Sequence, residues 1–458
     1  MEQSNSRRTQ GRSSLENESS GLERVREAAK REGQEQFTNL LHHVDAALLE
    51  QSYRKLKRDA APGVDGVTWQ EYGDGLEEKL KDLQDRIHRG AYRPQPSRRV
   101  NIPKPDGRQR ALGIAALEDK IVQHAVAEVL NQVWEEDFLG FSYGFRPGRK
   151  QHDALDALSA GIMGKKVNWV LDADIRGFFD NIDHEWMIRF VEHRIGDKRV
   201  VRLIQKWLKA GVLEGGKWAE TEAGTPQGAV ISPLLANLYL HYVVDVWVEV
   251  WRKKVATGEV IMVRYADDFV MGFQHKEDAD LFLEQLRERL RKFQLELHPE
   301  KTRLIEFGRY AQQRRERSGE GKPETFDFLG FTHICGKNHK TGHFNVKRKT
   351  KGKRMAAKLK DIGQKLRVRM HDGVADTGKW LGSVVRGYFQ YHAIPGNWDR
   401  MKSFRNEVLR QWYKQLRRRS QRHRCRWAAF LERLGSLLPV VKILHPYPLE
   451  RFYAKHPR

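Results

Sequence analysis

Val263-Arg264-Tyr265-Ala266-Asp267-Asp268-Phe269-Val270-Met271 places two adjacent carboxylates between the apolar, β-prone runs Val260-Ile261-Met262-Val263 and Phe269-Val270-Met271. The pattern predicts a strand, a tight turn and a second strand, with the Asp pair at the tip. Like charges in contact disfavour joint ionisation, so a purely structural carboxylate seldom has a twin beside it. A divalent cation removes that penalty, and Mg²⁺ takes carboxylate oxygens together with substrate phosphates. A solvated acidic turn is the plainer reading of the pair taken alone.

A second stretch answers the first. Val170-Leu171-Asp172-Ala173-Asp174-Ile175-Arg176-Gly177-Phe178-Phe179-Asp180 runs from an apolar strand into an acidic cluster. Asp174 is expected at the end of a strand lying beside the 263–271 hairpin. Asp174, Asp267 and Asp268 then converge on one sheet edge. That is the minimal equipment of a two-metal site, which clamps the attacking and leaving oxygens of an in-line displacement.

Tyr265-Ala266-Asp267-Asp268 and Asp174-Ile175-Arg176-Gly177-Phe178-Phe179-Asp180 resemble the palm motifs of a reverse transcriptase. Gly224-Thr225-Pro226-Gln227-Gly228-Ala229-Val230-Ile231-Ser232-Pro233-Leu234-Leu235 is similar to the block between them, in wording close to the group II intron-encoded reverse transcriptase/maturases. The resemblance runs from about residue 37 to the C-terminus. It implies an α+β right-hand polymerase: fingers, a palm with an antiparallel sheet, and a helical thumb, with an N-terminal extension and a basic maturase region. The expected domains are a disordered tail over 1–35, the extension over 36–95, fingers over 96–165 and palm over 166–325. A primer-supporting hairpin over 326–350 and a thumb with maturase domain X over 351–458 complete them. Relatives often carry a further Cys/His-rich endonuclease module, which this chain is expected to lack.

The resemblance also implies roles. Asp174, Asp267 and Asp268, with the Ile175 carbonyl, are expected to hold two Mg²⁺ ions. Gln227 is expected to touch the incoming deoxynucleoside triphosphate, and Lys301 to protonate departing pyrophosphate; a surface lysine near a turn is the alternative. A bulky ring at Phe179 would crowd a 2′-hydroxyl and select deoxynucleotides, unless it merely packs beside Phe178. Arg98 to Arg110 reads as a β-hairpin with an Asp106-Gly107 turn. Its Lys104 and Arg110, six residues apart on opposite arms, suit a common phosphate group, and the family uses these positions for the triphosphate. Phe141 to Arg149 resembles the second fingers motif; its aromatic rings and guanidinium groups suit stacking and backbone contact, with Arg146 the expected contact.

The bulk numbers agree. The 458 residues carry a formal net charge of +23, an excess that a fold does not need and that predicts a polyanionic partner. With 39% hydrophobic residues, 12 Trp and 20 Phe, the chain can still build cores. Two cysteines, Cys335 and Cys425, form no disulfide framework and suit a cytoplasmic setting. No apolar run approaches the roughly 18 residues of a membrane span. The expected partners are intron RNA, an RNA template, a DNA primer or target and dNTPs.

Helical spacing predicts helices over 37–58, 117–135, 186–194, 200–211, 233–248 and 278–293, and a linker over 309–324. His333, Cys335, His339 and His343 match zinc ligands only loosely, and a nucleic-acid-facing loop is the preferred reading. Lys347 to Arg369 is the most basic run, an amphipathic helix expected to lie along a duplex through Lys351, Lys353, Arg354 and Lys358. Arg386, in the Trp380 to His392 domain-X signature, and Arg418 extend the expected nucleic-acid surface. Three other readings compete. An RNA-dependent RNA polymerase typically has Gly before the Asp pair and no bulky gate, unlike Tyr265-Ala266 and Phe179. A primarily RNA-binding splicing factor and a domesticated defence or repair enzyme are the others.

Overall fold

The two acidic stretches fold as neighbouring strands of one sheet. The computed structural model describes residues 21–31, 33, 35–103, 109–214, 217–219, 223–225, 228–338, 341–419 and 426–456. After a helical segment over 21–31, the chain forms helices α1 (Ala46–Lys55) and α2 (Leu76–His88), with a short helical turn, Trp69–Gly73, between them. They are followed by strands β1 (Ser97–Pro103) and β2 (Gln109–Ile114) and helices α3 (Leu117–Asp137) and α4 (Gln151–Gly164). Next come β3 (Trp169–Asp174), α5 (His184–Glu192), α6 (Lys198–Lys209), β4 (Val212–Glu214), β5 (Lys217–Ala219), α7 (Ser232–Leu240) and α8 (Val246–Lys254). Then follow β6 (Val260–Tyr265), β7 (Asp268–Phe273), α9 (Lys276–Lys292), β8 (Arg303–Glu306), β9 (Phe326–Phe328), β10 (Phe331–Lys337) and β11 (Phe344–Thr350). Helices α10 (Gly352–Val368), α11 (Val374–His392), α12 (Trp398–Arg418), α13 (Trp427–Leu434) and α14 (Pro448–Lys455) close the chain.

The central sheet has the order β6-β7-β3-β8, all antiparallel. Successive side chains of a strand point to opposite faces, and both faces of this sheet are covered. Leu171, Ala173, Phe269, Met271 and Phe273 join the larger core with α3, α7, α8 and α9, where Trp251 meets Phe282 edge-on at 4.9 Å. Val170, Val263, Val270 and Ile305 face a second core, shared with Leu155 and Leu158 of α4 and with Phe326, Phe331 and Val346 of the sheet β9-β10-β11. Burial on both faces explains why β3 and β7 read as near-continuous apolar runs, broken only at the acidic ends. A third core, including Ile362, Leu381, Phe404 and Trp412, unites α10 to α13.

Several expectations change. Residues 21–31 are helical, bury Val25 and Ala29 and pair Arg26 with Glu136 at 2.7 Å, so this segment does not belong to the disordered tail expected over 1–35; residues 1–20 lie outside the described residues. The 37–58 helix is a 3₁₀ turn, Leu41–His43, followed by α1, because the Asp45 side chain caps a new helix at Leu48 N. The 309–324 linker contains a short helix, Ala311–Arg317. The basic run over 347–369 is divided between β11 and α10, and its Arg348 is buried against Asp156 at 2.7 Å. The 233–248 helix continues to Lys254 through a π turn at His241–Asp245.

Candidate functional site

The turn between β6 and β7 has two residues, Ala266 and Asp267, and Ala266 takes the left-handed conformation at φ 58°. That conformation is costly for a residue with a Cβ and persists where surroundings over-determine it. Arg264 is the main restraint. It is fully buried, ion-paired with the equally buried Asp245 (Nε to Oδ1 2.7 Å), and donates from Nη1 to the Ala266 carbonyl at 3.0 Å and to Asn237 Oδ1 at 3.1 Å. The π turn between α7 and α8 carries Asp245, and such bulges recur at functional sites. Removing one partner of a buried pair strands the other charge. Asp245→Ala is therefore expected to destabilise the fold by about 3–5 kcal/mol in chemical denaturation and to lower activity with it; a cost below 1 kcal/mol would contradict this support for the turn.

β3 and β7 pair with Asp174 directly opposite Asp268. The register puts both on one face at the sheet end, with Asp267 at the turn. Together they line an open cavity of about 910 Å³ that also takes in Arg110, Phe145, Ile175, Phe179 and Lys301. Lys301 Nζ lies 2.6 Å from Asp174 Oδ2. Burial raises the Asp267 carboxyl, with Asp174 adding and Arg110 and Lys301 opposing. Asp268 is pushed up to about 6, first by its recessed setting and then by Asp267 and Asp174. Its side chain nevertheless opens to the cavity, so water screens part of that effect. Two residues down β3, burial pushes Asp172 up to about 7; Arg303 opposes, and Asp268, Asp327 and Asp174 add to the rise.

The three carboxylates share a wall without closing into a cage. Among the described residues no three His, Cys, Asp or Glu side chains are arranged to hold a metal ion by themselves, and one oxygen of Asp174 is taken by Lys301. The donor set still suits a hard divalent ion, since Mg²⁺ is usually bound by one or two carboxylates with substrate phosphates filling other positions.

Arg110 lies on β2 opposite Ile102, exposed, and faces the cavity. Phe179 is half-buried, meets Phe178 edge-on at 5.3 Å, and lines the same cavity. Lys104 and Gln227 lie outside the described residues. Lys351 pairs with Asp327 at 2.9 Å and Lys358 with Asp361 at 3.1 Å. Lys353 and Arg354 are exposed, with Arg354 over the Tyr391 ring at 5.7 Å; Arg386 and Arg418 are exposed too.

Arg146 is a correction. It is 6% exposed, and its guanidinium is bound to the Glu135 carboxylate at 2.9 Å and to the carbonyls of Leu139 and Ser142. It braces the loop and offers nothing to a phosphate. The exposed aromatic residue of that loop is its neighbour Phe145, a non-glycine residue at φ 57° that is 53% exposed, with its ring 6.4 Å from the Tyr265 ring. The loop is bolted to the Ala266-Asp267 turn, since a Cβ on Gly144 would sit 2.2 Å from Ala266 N, and Asn237 Nδ2 donates to the Gly144 carbonyl at 2.6 Å. His333 is a second correction. It is fully buried, stacks on Phe326 at 4.7 Å and is pushed down to about 3 by burial, so it faces no nucleic acid. Cys335 donates to the Gly308 carbonyl and its thiol is pushed up to about 11 by burial; His343 is exposed, and His339 lies outside the described residues. No zinc set forms among the described members.

Residues 102–333 match the family described as reverse transcriptase (RNA-dependent DNA polymerase). The chain belongs to the reverse transcriptase family. It is 35% identical over 298 residues to protein YkfC of Escherichia coli K12, covering 57% of this chain and 78% of that protein. It is 38% identical over 223 residues to the group II intron-encoded protein LtrA of Lactococcus lactis, covering 48% of this chain and 37% of LtrA. A putative COX1/OXI3 intron 1 protein of Saccharomyces cerevisiae is 30% identical over 224 residues, 48% of this chain and 26% of that protein. These matches place the chain among the group II intron reverse transcriptases and maturases, and its activity is that of an RNA-directed DNA polymerase. Within this reverse transcriptase the matched segment spans β2, the whole central sheet and the β9–β10 pair. No helix among the described residues is long and apolar enough to cross a membrane.

Proposed function

We propose that the chain extends a DNA primer on an RNA template, and that it also binds intron RNA, promotes its splicing and supports retrohoming by target-primed reverse transcription. The observation that carries the polymerase reading is the in-register pair Asp174–Asp268 at the end of the central strands, beside Asp267 and inside a cavity with Arg110, Phe179 and Lys301. In this reading the right hand has fingers over 96–165, a palm over 166–325, a primer hairpin over 326–350 and a thumb with domain X over 351–458, preceded by the 36–95 extension.

Asp174, Asp267, Asp268 and the Ile175 carbonyl are the residues that would hold two Mg²⁺ ions, which supply acidification of the primer 3′-hydroxyl and neutralisation of the pyrophosphate. Arg110 and Lys104 attract the triphosphate, and Gln227 contacts the nucleotide. Lys301, paired with Asp174 at 2.6 Å, delivers a proton to the leaving group in this reading. Lys351, Lys353 and Arg354 flank the duplex as it leaves the cavity, while Lys358, Arg386 and Arg418 serve RNA. The names of the intron-encoded relatives favour the splicing role.

Phe145 replaces Arg146 as the contact of its loop, its ring forming with Tyr265 a platform for a base. Stacking is worth about 1–3 kcal/mol per base. Phe145→Ala is expected to weaken primer–template binding roughly 5–150-fold with kcat little changed, and Phe145→Trp to restore it. Equal affinities for all three proteins would remove the platform.

Primer extension on an RNA template with Mg²⁺ and dNTPs, wild type beside Asp267→Ala, tests the whole reading. Long cDNA from the wild type alone supports it. No product from either protein, with salt-sensitive RNA binding retained, moves the assignment to a splicing factor.

A further inference from the structure

Away from the catalytic cavity, and sharing none of its lining residues, a groove of about 390 Å³ opens between α10 and α12. Five cations line it: Lys360 and Arg367 from α10, and Arg410, Lys414 and Arg418 from α12. All five are exposed. The lining carboxylate is Glu407, 3.7 Å from Arg410; Lys360, Arg367, Lys414 and Arg418 pair with no carboxylate among the described residues. So one-sided a set on the facing walls of a groove attracts a polyanion rather than stabilising the helices.

The floor adds information that charge alone lacks. Gln415 is 8% exposed, lines the groove, and its Oε1 has no hydrogen-bond partner among the described residues. One turn earlier, Gln411 Oε1 is likewise buried without a partner. Gly363 brings α10 close at this point, since a Cβ there would sit 3.0 Å from Gln411 Oε1. Orphaned buried acceptors cost free energy, and a ligand that brings donors recovers it. Phosphates alone bring none. A ribose brings a 2′-hydroxyl, the group by which proteins tell RNA from DNA.

We propose that the α10–α12 groove is an RNA backbone site, with phosphates between the cations of its two walls and ribose hydroxyls donating to Gln411 and Gln415. It rests on the RNA-binding part of the proposed function and deepens it, and it is separate from the polymerase cavity. The site accounts for Arg418 and assigns Arg367 of α10 and Lys414 of α12, which both line the groove, a role separate from the duplex.

The test uses the full chain with its cavity filled by excess unlabelled primer–template. A fluorescent RNA stem-loop and the DNA of the same sequence are titrated by anisotropy over a salt series. Each neutralised phosphate contributes about 0.7–0.9 to the log–log salt slope. The double variant Arg367→Gln/Lys414→Gln is expected to lose about tenfold in RNA affinity, and its slope to fall by roughly 1.4–1.8. Extension of a short primer on an oligonucleotide template should stay within about twofold of wild type. Gln415→Leu, and separately Gln411→Leu should the first fail to fold, is expected to weaken RNA several-fold, leave DNA unchanged, and erase the preference for RNA. Wild-type affinity and slope in the double variant would overturn the site. Equal binding of RNA and DNA by the wild type, with the Gln variants altering neither, would overturn its ribose reading.

Discussion

Asp268→Asn is expected to abolish primer extension, by on the order of 10³-fold or more, and at the same time to make the metal-free protein more heat-stable. The loss follows from removing a carboxylate from a site whose proposed Mg²⁺ ions would supply several kcal/mol of charge stabilisation. The gain follows from the electrostatics of the turn. Asp268 is pushed up to about 6 by its recess and by Asp267 and Asp174, so the unfolded chain, with an ordinary carboxyl, ionises more readily than the folded one. The folded state therefore binds more protons between about pH 4 and 6, and stability falls as pH rises through that window. At neutral pH the ionised group is a liability that Asn removes. Because Asp268 opens to water, screening limits the gain to about 1 kcal/mol. Mg²⁺ should stabilise the wild type at pH 7.5, less so below about pH 6 as protons compete for the carboxylates, and the variant little at either pH. Thermal melts with and without Mg²⁺ at both pH values check this; a variant destabilised in the absence of metal would show that Asp268 is a structural residue of the turn.

The convergence of the three carboxylates on one cavity wall was legible because its determinants are local. A strand alternates faces with period two, so the apolar runs around Asp174 and around Asp267-Asp268 require those carboxylates at strand ends, and pairing β3 with β7 sets Asp174 against Asp268. What escaped is what distant partners decide. Nothing in Phe141 to Arg149 reveals that Glu135 and three carbonyl acceptors capture the Arg146 guanidinium, leaving Phe145 as the exposed aromatic residue. A positive φ at Phe145 cannot be read from its side chain, although Gly144 beside it marks a close approach to the turn at Ala266. The same holds for Arg348. In sequence it belongs to a basic run, but its strand packs over α4, where Asp156 takes both Arg348 and Arg451. His333 alternates with half-buried positions on β10 and faces the core, which a period-two reading of 331–337 could have found. Arg264 was hidden in plain view in the quoted turn; its partner Asp245 is nineteen residues upstream and is carried by a π turn that helical periodicity does not register.

Phe179→Ala is expected to change which sugar the enzyme accepts more than how fast it works. The ring lines the cavity together with Asp174 and Ile175 at the end of β3 and with Gly228-Ala229. It is held from behind by Phe178, which is buried and in turn meets Tyr239 edge-on at 6.4 Å. Its own carbonyl accepts from Thr225 N at 2.8 Å, so the backbone beneath the ring is pinned. A pinned, half-buried ring can exclude an added hydroxyl by volume, whereas a loose one would move aside. A steric pocket commonly discriminates at a level of about 10²-fold, so removing the ring should raise kcat/KM for ribonucleotides by about that factor relative to deoxynucleotides. Because the side chain is only partly buried against the core, the stability cost should fall below the roughly 3–5 kcal/mol of a fully buried Phe→Ala change. Phe179→Tyr keeps the ring and should keep the selectivity. Single-nucleotide incorporation with paired dNTP and rNTP titrations reads both constants. If the Ala variant loses activity on both sugars equally, the ring is a packing element beside Phe178; if only the ribonucleotide constant rises, it is the gate.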